Sequence, residues 1–304
     1  MGQLPIEVSH LVKRYGDFTA VHDISFSVED GEIFGILGPN GSGKTTTVES
    51  LQGLRRIDGG SVSVLGLDPR TDAAAIRRLI GSQLQESALP DRVKVWEALD
   101  LFGSISPEGR SWPDLLDDWG LSDKRYSRFG SLSGGQRQRL FVALALVNDP
   151  KLVFLDEMTT GLDPASRRVA WDLIRRIRDR GTTVVLVTHF MEEAETLCDR
   201  LIVVDNGAVV AEGSPSNLID SFGGGVRVRF TLDGEETGWL SSVPYVSGWD
   251  KERNRYEVRG DGPVLAYVAS ALLEHGLTPS DLRQERATLE DVFLTLTSGD
   301  EDST

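Results

Sequence analysis

A single cysteine, Cys198, stands in 304 residues. No intramolecular disulfide can form, which fits a reducing compartment. Cys198 falls in a helical pattern with Ala194, Leu197 and Leu201, the place of a small core residue. Positive charge is scarce: 32 Lys and Arg stand against 47 Asp and Glu, for a net charge of -15 and a pI near 4.8. Nucleic-acid binding rests on cationic surface, so no nucleic-acid partner is expected. Long apolar runs are missing. The longest, Leu140 to Val147, is far short of the roughly 20 residues that span a bilayer. If the protein works at a membrane, another chain must cross it. Met1 to His10 carries neither a basic nor an apolar segment, so no signal peptide is expected. The chain also lacks internal repeats and sustained heptads.

What is present centres on Gly38-Pro39-Asn40-Gly41-Ser42-Gly43-Lys44-Thr45, which fits the phosphate-binding loop G-x-x-x-x-G-K-[ST]. The apolar run Ile33 to Leu37 precedes it as a buried strand, and a helix over Thr46 to Gly53 follows. Each part serves the chemistry. Glycines let backbone N–H groups converge on phosphate oxygens. The helix points its positive end at the same anion. Lys44 adds a full charge, and the Thr45 hydroxyl can ligate Mg²⁺.

The remaining pattern is that of an α/β core. Ile6 to Val12 reads as a strand, and Ile24, Phe26 and Val28 alternate with serines as a second, half-buried one. Tyr15 lies between them, where an exposed aromatic is equally a plain surface residue. Ser61 to Leu65 and Leu79 to Ser82 are short strands, with Gln83 and Gln85 after the second. From about Glu86 to Asn148 a helical stretch interrupts the α/β alternation. It includes Val93 to Ser104 and a short helix after Gly109. Ser133 and Gln136 have capping-box spacing. A cap does not explain Gly134 and Gly135, since glycine costs about 1 kcal/mol in a helix; at a helix start it suits close approach to an anion. Leu152 to Leu155 runs into Asp156 and Glu157 as a central strand. Asp163 and Pro164 open a helix as N-cap and N1, and Ala170, Leu173, Ile174 and Ile177 form its buried face. Val184 to Val187 is a third buried strand, ending at Thr188 and His189. Leu201 to Ala211 reads as a hairpin through Asn206-Gly207. Three strands thus end at Gly38, at Asp156-Glu157 and at His189. Ligands of open α/β sheets bind at the C-terminal ends of the strands. Gly223 to Gly225 reads as a linker. Beyond it the sequence predicts strands (Val226 to Phe230, Tyr256 to Val258), a helix from Val264 to His275, and a last helix with Leu289, Val292, Phe293 and Leu296 on one face. An acidic tail, Gly299 to Thr304, closes the chain, where disorder is expected.

Over about residues 4 to 222 these motifs, in this order, resemble the nucleotide-binding subunit of an ABC (ATP-binding cassette) transporter. Leu289 to Leu294 resembles the tail of bacterial drug-resistance exporter subunits of the daunorubicin type. The resemblance implies a phosphate-loop core of ABC type, with an antiparallel β subdomain and a helical subdomain, in residues 1–222. A small α+β accessory domain would follow in 223–304. It implies an ATPase using ATP and Mg²⁺. Tyr15 would stack on adenine with Val21 nearby, and Gly38 to Thr46 would hold the phosphates. Thr45, Gln85 and Asp156 would hold Mg²⁺. Glu157 would be the general base, and His189 would contact the γ-phosphate and orient the water. Ser133, Gly134, Gly135 and Gln136 would meet ATP held by a second subunit in a head-to-tail dimer, and Asp163 would serve that interface. The implied setting is the cytoplasmic face of the plasma membrane, beside a separate multispanning permease that exports a drug-like or lipophilic substrate. Met158 departs from the family's usual proline, and Ser82 and Leu84 from its usual aromatic and proline; neither change removes a chemical group. The competing class, a soluble ABC ATPase acting on ribosomes or nucleic acid, is weakened by the acidic charge and the single cassette.

Overall fold

The computed structural model describes residues 3–83, 88–104, 109–223, 225–232 and 237–297. Leu84, Gln85, Gly224 and the acidic tail lie outside the described residues. The chain divides into two compact units, Met1–Pro215 and Ser216–Thr304.

In the first unit, β1 (Ile6–Tyr15), β2 (Phe18–Val28) and β3 (Ile33–Leu37) lead into α1 (Lys44–Leu51). β4 (Gly59–Val64), α2 (Ala73–Leu79) and β5 (Ile80–Gln83) follow, then the helices α3 (Val95–Gly103), α4 (Trp112–Asp118) and α5 (Gly134–Ala145). The chain returns through β6 (Leu152–Asp156), α6 (Pro164–Asp179), β7 (Thr183–Thr188) and α7 (Met191–Leu197) to β8 (Arg200–Asp205) and β9 (Ala208–Gly213). These nine strands form one sheet in the order β4-β1-β2-β9-β8-β3-β7-β6-β5. The β4-β1-β2 part is antiparallel, whereas β8-β3-β7-β6-β5 is parallel. β3, β6 and β7 are buried along their whole length, as expected of apolar strands covered on both faces. They are neighbours, and the register pairs Leu37 with Thr188 and Asp156 with Val187. The segments that follow the three strands therefore leave the sheet at one level.

Several boundaries differ from the sequence expectation. α1 begins at Lys44 rather than Thr46, because the left-handed Gly43 (φ 102°) starts the helix inside the motif. Tyr15 is the last residue of β1, paired with Phe18, rather than part of a longer loop. The hairpin between β8 and β9 turns at Asn206 and Gly207, both with positive φ (45° and 75°), the geometry of the Asn-Gly turn. The helical stretch is tied to the end of α6 through Asp118, which accepts from Arg110 at 2.6 Å and Arg180 at 2.9 Å. Arg180 is the main cause holding the Asp118 carboxyl down at about 2.

The second unit takes up α8 (Pro215–Phe222), which crosses the division, then β10 (Val226–Thr231), β11 (Val246–Glu252), β12 (Arg255–Gly260), α9 (Val264–Glu274), β13 (Ser280–Arg286) and α10 (Leu289–Thr297). Its sheet is ordered β11-β12-β10-β13. One face packs Val228, Phe230, Tyr256 and Val258 against Val264, Val268 and Leu272 of α9. Phe230 and Tyr256 stack with centroids 5.2 Å apart. The other face is ionic, with Arg229 bonded to Glu257 and Glu285, each at 2.7 Å.

Candidate active site

The phosphate loop is shaped by its glycines. Gly38, Gly41 and Gly43 all have positive φ (157°, 84° and 102°). A Cβ on Gly43 would lie 2.7 Å from the Ala20 carbonyl. The hairpin turn braces the loop from outside: the Gly207 N–H donates to the Ser42 carbonyl at 3.0 Å. The Lys44 ammonium curls back and donates to the carbonyls of Gly38 (2.8 Å) and Pro39 (2.9 Å). Burial is the largest influence on Lys44 and lowers its pKa, while Glu157 and Asp156 oppose that shift.

Asp156 ends β6 and is 4% exposed. Burial, then the neighbouring Glu157, pushes its carboxyl up to about 6, against the pull of Lys44. Its Oδ1 is buried with no hydrogen-bond partner among the described residues, as is the Ser42 Oγ. Glu157 sits in the left-handed region (φ 48°), a conformation a non-glycine residue holds at a cost of about 1–3 kcal/mol. Its N–H donates to the Val187 carbonyl at 2.9 Å, which locks the turn to β7. Its Oε1 lies 3.2 Å from His189 Nδ1. The His189 ring in turn packs on Phe190, centroids 4.1 Å apart.

Tyr15, Asn40, Gly41, Gly43, Lys44, Thr45, Thr46 and Glu157 share an open cleft of about 550 Å³. Thr45 is exposed at its floor. Val21 is not in its wall: it is fully buried in the core, where it backs Gly43. The wall is completed instead by Phe18, Ala20 and Arg55, none of which the sequence singles out. The Arg55 guanidinium lies 5.6 Å from the centre of the Tyr15 ring and is bonded to Glu49.

Ser133, Gly134, Gly135 and Asp163 share a different cleft, of about 380 Å³, with Met158, Leu162 and Ser166. The capping box is present: Gln136 N–H donates to Ser133 Oγ (3.3 Å), and Gln136 Oε1 accepts from the Ser133 N–H (3.0 Å). Asp163 caps α6 by accepting from the N–H groups of Ala165 and Ser166 (3.0 and 2.9 Å) and from Ser166 Oγ (2.6 Å). These bonds, led by that from the Ser166 side chain, lower its pKa. Gly134 and Gly135 have room for a side chain: nothing lies within 4 Å of a Cβ on Gly134, and the nearest atom to one on Gly135 is 3.6 Å away. Nothing in their own chain requires glycine there.

A phosphate cradle, paired carboxylates and a histidine at the ends of adjacent parallel strands define a phosphate-loop nucleotide hydrolase. Residues 21–160 match the ABC transporter family. The chain is 39% identical over 307 residues to the Nod factor export ATP-binding protein I of Rhizobium sp. (strain N33), covering 98% of each. It is 38% identical over 310 residues to the daunorubicin resistance ATP-binding protein DrrA3 of Streptomyces coeruleorubidus, covering 99% of this chain and 98% of that protein. Among solved structures, a dimeric ATP-binding cassette in a post-hydrolysis state bound to ADP and Pi superposes with a TM-score of 0.63 at 25% identity, covering 69% of this chain and 98% of that one. The chain belongs to the ABC transporter family, as one of its ATP-binding subunits. Subunits of this kind couple ATP hydrolysis to transport.

Proposed function

We propose that this chain hydrolyses ATP in composite sites built head to tail with a second nucleotide-binding subunit, a second copy in the isolated protein, and so powers export through a separate permease. The observation that carries this is the pair of clefts on one chain. One cleft has the phosphate loop, Asp156 and Glu157; the other has Gly134 and Gly135, glycines with no role inside their own chain. Each is half of a site.

In this reading Tyr15 lies against adenine, with Phe18 and Arg55 beside it. The N–H groups of Gly38 and of Asn40 to Thr46 surround the phosphates, and Lys44 exchanges two loop carbonyls for phosphate oxygens. Mg²⁺ is usually held by one or two carboxylates together with substrate phosphates. The unpartnered Oδ1 of Asp156 and the exposed Thr45 hydroxyl fit that need, and Gln85 is the further ligand we assign. The ion would neutralise charge on the phosphates. Glu157 draws the proton of the attacking water, and His189 at 3.2 Å from it orients that water at the γ-phosphate. Ser133 to Gln136 of the facing subunit close the site through their helix start.

The composite site predicts a clean separation of stability from activity. Gly135→Asp places a carboxylate in the first turn of α5, where it favours the helix. The variant keeps the wild-type melting temperature yet loses ATPase activity, because the carboxylate meets phosphate. Normal turnover in the folded variant would rule out this use of the α5 N-terminus.

The substrate class we assign is drug-like or lipophilic, from the named activities of the two export relatives. No helix among the described residues is long and apolar enough to cross a membrane. The seat we assign to the permease, on the cytoplasmic side of the plasma membrane, is a groove of about 490 Å³ lined by Leu54, Ile80, Leu89, Phe102, Phe141 and Leu144. Leu54 and Phe102 are 48% and 37% exposed there, apolar surface that suits a partner. Phe102→Glu is expected to abolish co-purification with the co-expressed permease while ATP binding is unchanged. Undiminished recovery of the permease would move the seat elsewhere.

A further inference from the structure

We infer that a ladder of contacts between α6 and α7, centred on the hydrogen bond from Trp171 to Glu193, positions His189 for hydrolysis. The inference rests on the role of His189 given above and adds the residues through which that role is set.

The ladder has four rungs. The Arg167 guanidinium lies over the Phe190 ring, 4.6 Å from its centre. Trp171 Nε1 donates to Glu193 Oε1 at 3.0 Å. Arg175 donates to the Thr196 carbonyl at 3.4 Å, and Arg178 to Asp199 at 3.5 Å. Residues 167, 171, 175 and 178 fall on one face of α6, as three- and four-residue steps require. Their partners are spaced by three along α7 and its flanks. The first rung ends on Phe190, whose ring packs on His189.

Only the second rung is buried, with Trp171 7% and Glu193 0% exposed. The Arg175 and Arg178 rungs are exposed to solvent and fix little, and the Arg167 rung, half-buried, lacks the direction of a hydrogen bond. The buried rung is different in kind. Glu193 Oε2 is buried with no hydrogen-bond partner among the described residues. Replacing a buried polar pair by apolar groups of similar shape is often neutral or stabilising. Stability therefore does not account for a carboxyl here, whereas a directional bond that sets the rotation and height of α7 does. α7 cannot give way on its other side either. A Cβ on Gly35 of β3 would lie 2.8 Å from Cys198 Sγ and 2.9 Å from Leu201 Cβ, so the chain just beyond α7 is pressed against the strand that leads to the phosphate loop. α6 also begins at the second cleft, where Asp163 and Ser166 lie, so the ladder joins the two clefts of one chain.

Trp171, Glu193, Phe190 and Arg167 are positioning residues, and their test needs readouts that a purely structural role would not move. The full chain is assayed for kcat, KM for ATP and melting temperature in Glu193→Gln, Glu193→Leu, Trp171→Phe, the Trp171→Phe/Glu193→Leu double variant and His189→Ala. Small misplacements of a catalytic group cost one to two orders of magnitude in rate. Glu193→Leu, Trp171→Phe and the double variant are each expected to lower kcat about tenfold with KM within about twofold, a loss confined to the transition state. The double variant, which leaves neither member of the pair unpartnered, keeps the melting temperature, the single apolar variants lower it, and Glu193→Gln, which retains the acceptor, keeps the rate. Full kcat in a folded Glu193→Leu or double variant overturns the inference. So does equal loss in Glu193→Gln, or failure of all ladder variants to fold, which marks a structural role. A slow His189→Ala beside fully active ladder variants leaves the role of His189 standing and removes the ladder alone. A fully active His189→Ala removes both.

Discussion

Glu157→Gln is expected to bind ATP with wild-type affinity and to hydrolyse it at least about a hundredfold more slowly, the usual scale of a lost general base. Glutamine has the size of glutamate and can still accept from His189, so the 3.2 Å contact and the turn bonded to Val187 are kept. What is lost is the ability to take a proton. The substitution therefore separates the two uses of the nucleotide: it remains the bridge between subunits and ceases to be consumed. Size-exclusion chromatography with ATP should show a dimer that retains nucleotide, where the wild type returns to its nucleotide-free state. Wild-type turnover in the variant would place the base elsewhere. The left-handed backbone of Glu157 points the same way, because strain at a non-glycine residue is kept where its geometry is used.

Lys44→Ala is expected to weaken ATP binding by about ten- to a hundredfold, the scale of one or two charge-assisted hydrogen bonds. The ammonium is buried against two loop carbonyls, and burial is what chiefly lowers its pKa. The protonated form is thus held in a poorly solvated place, which a phosphate oxygen would relieve in the proposed site. Its removal should leave the melting temperature of the nucleotide-free protein nearly unchanged, while the stabilisation normally gained on adding ATP disappears. An unchanged dissociation constant would defeat the assignment.

Much of this site is legible in the sequence because its parts are contiguous. The phosphate loop is one run of eight residues, and Asp156 and Glu157 end an apolar strand buried on both faces. The capping box of Ser133 and Gln136 is likewise local, since a cap is decided within one turn of helix. What escaped depends on tertiary placement. Arg55 and Phe18 reach the cleft from separate elements, and the Gly207 brace on the loop joins residues far apart in the chain. Val21, which the resemblance implies near adenine, is buried beside Ala20 in β2, and it is Ala20 that lines the cleft. In the second unit, the sequence carries no strand signal for β11 and β13. Their sequences, VSGWDKE and SDLRQER, are mostly exposed and charged, so they carry no apolar alternation. They exist as strands because β12 and β10 offer them ladder partners.

In the proposed dimer each site takes its phosphate loop from one copy and its α5 N-terminus from another. Mixing two variants tests it most directly. Lys44→Ala lacks a working phosphate loop, and Gly135→Asp lacks a working α5 N-terminus. In a head-to-tail pair of one of each, one composite site is wholly wild type and the other carries both defects. Each variant alone should be inactive, and an equal mixture should recover about a quarter of wild-type ATPase activity, the share expected for random pairing in a symmetric dimer. A mixture as inactive as its components would contradict the account, because it would mean that each chain completes its own site.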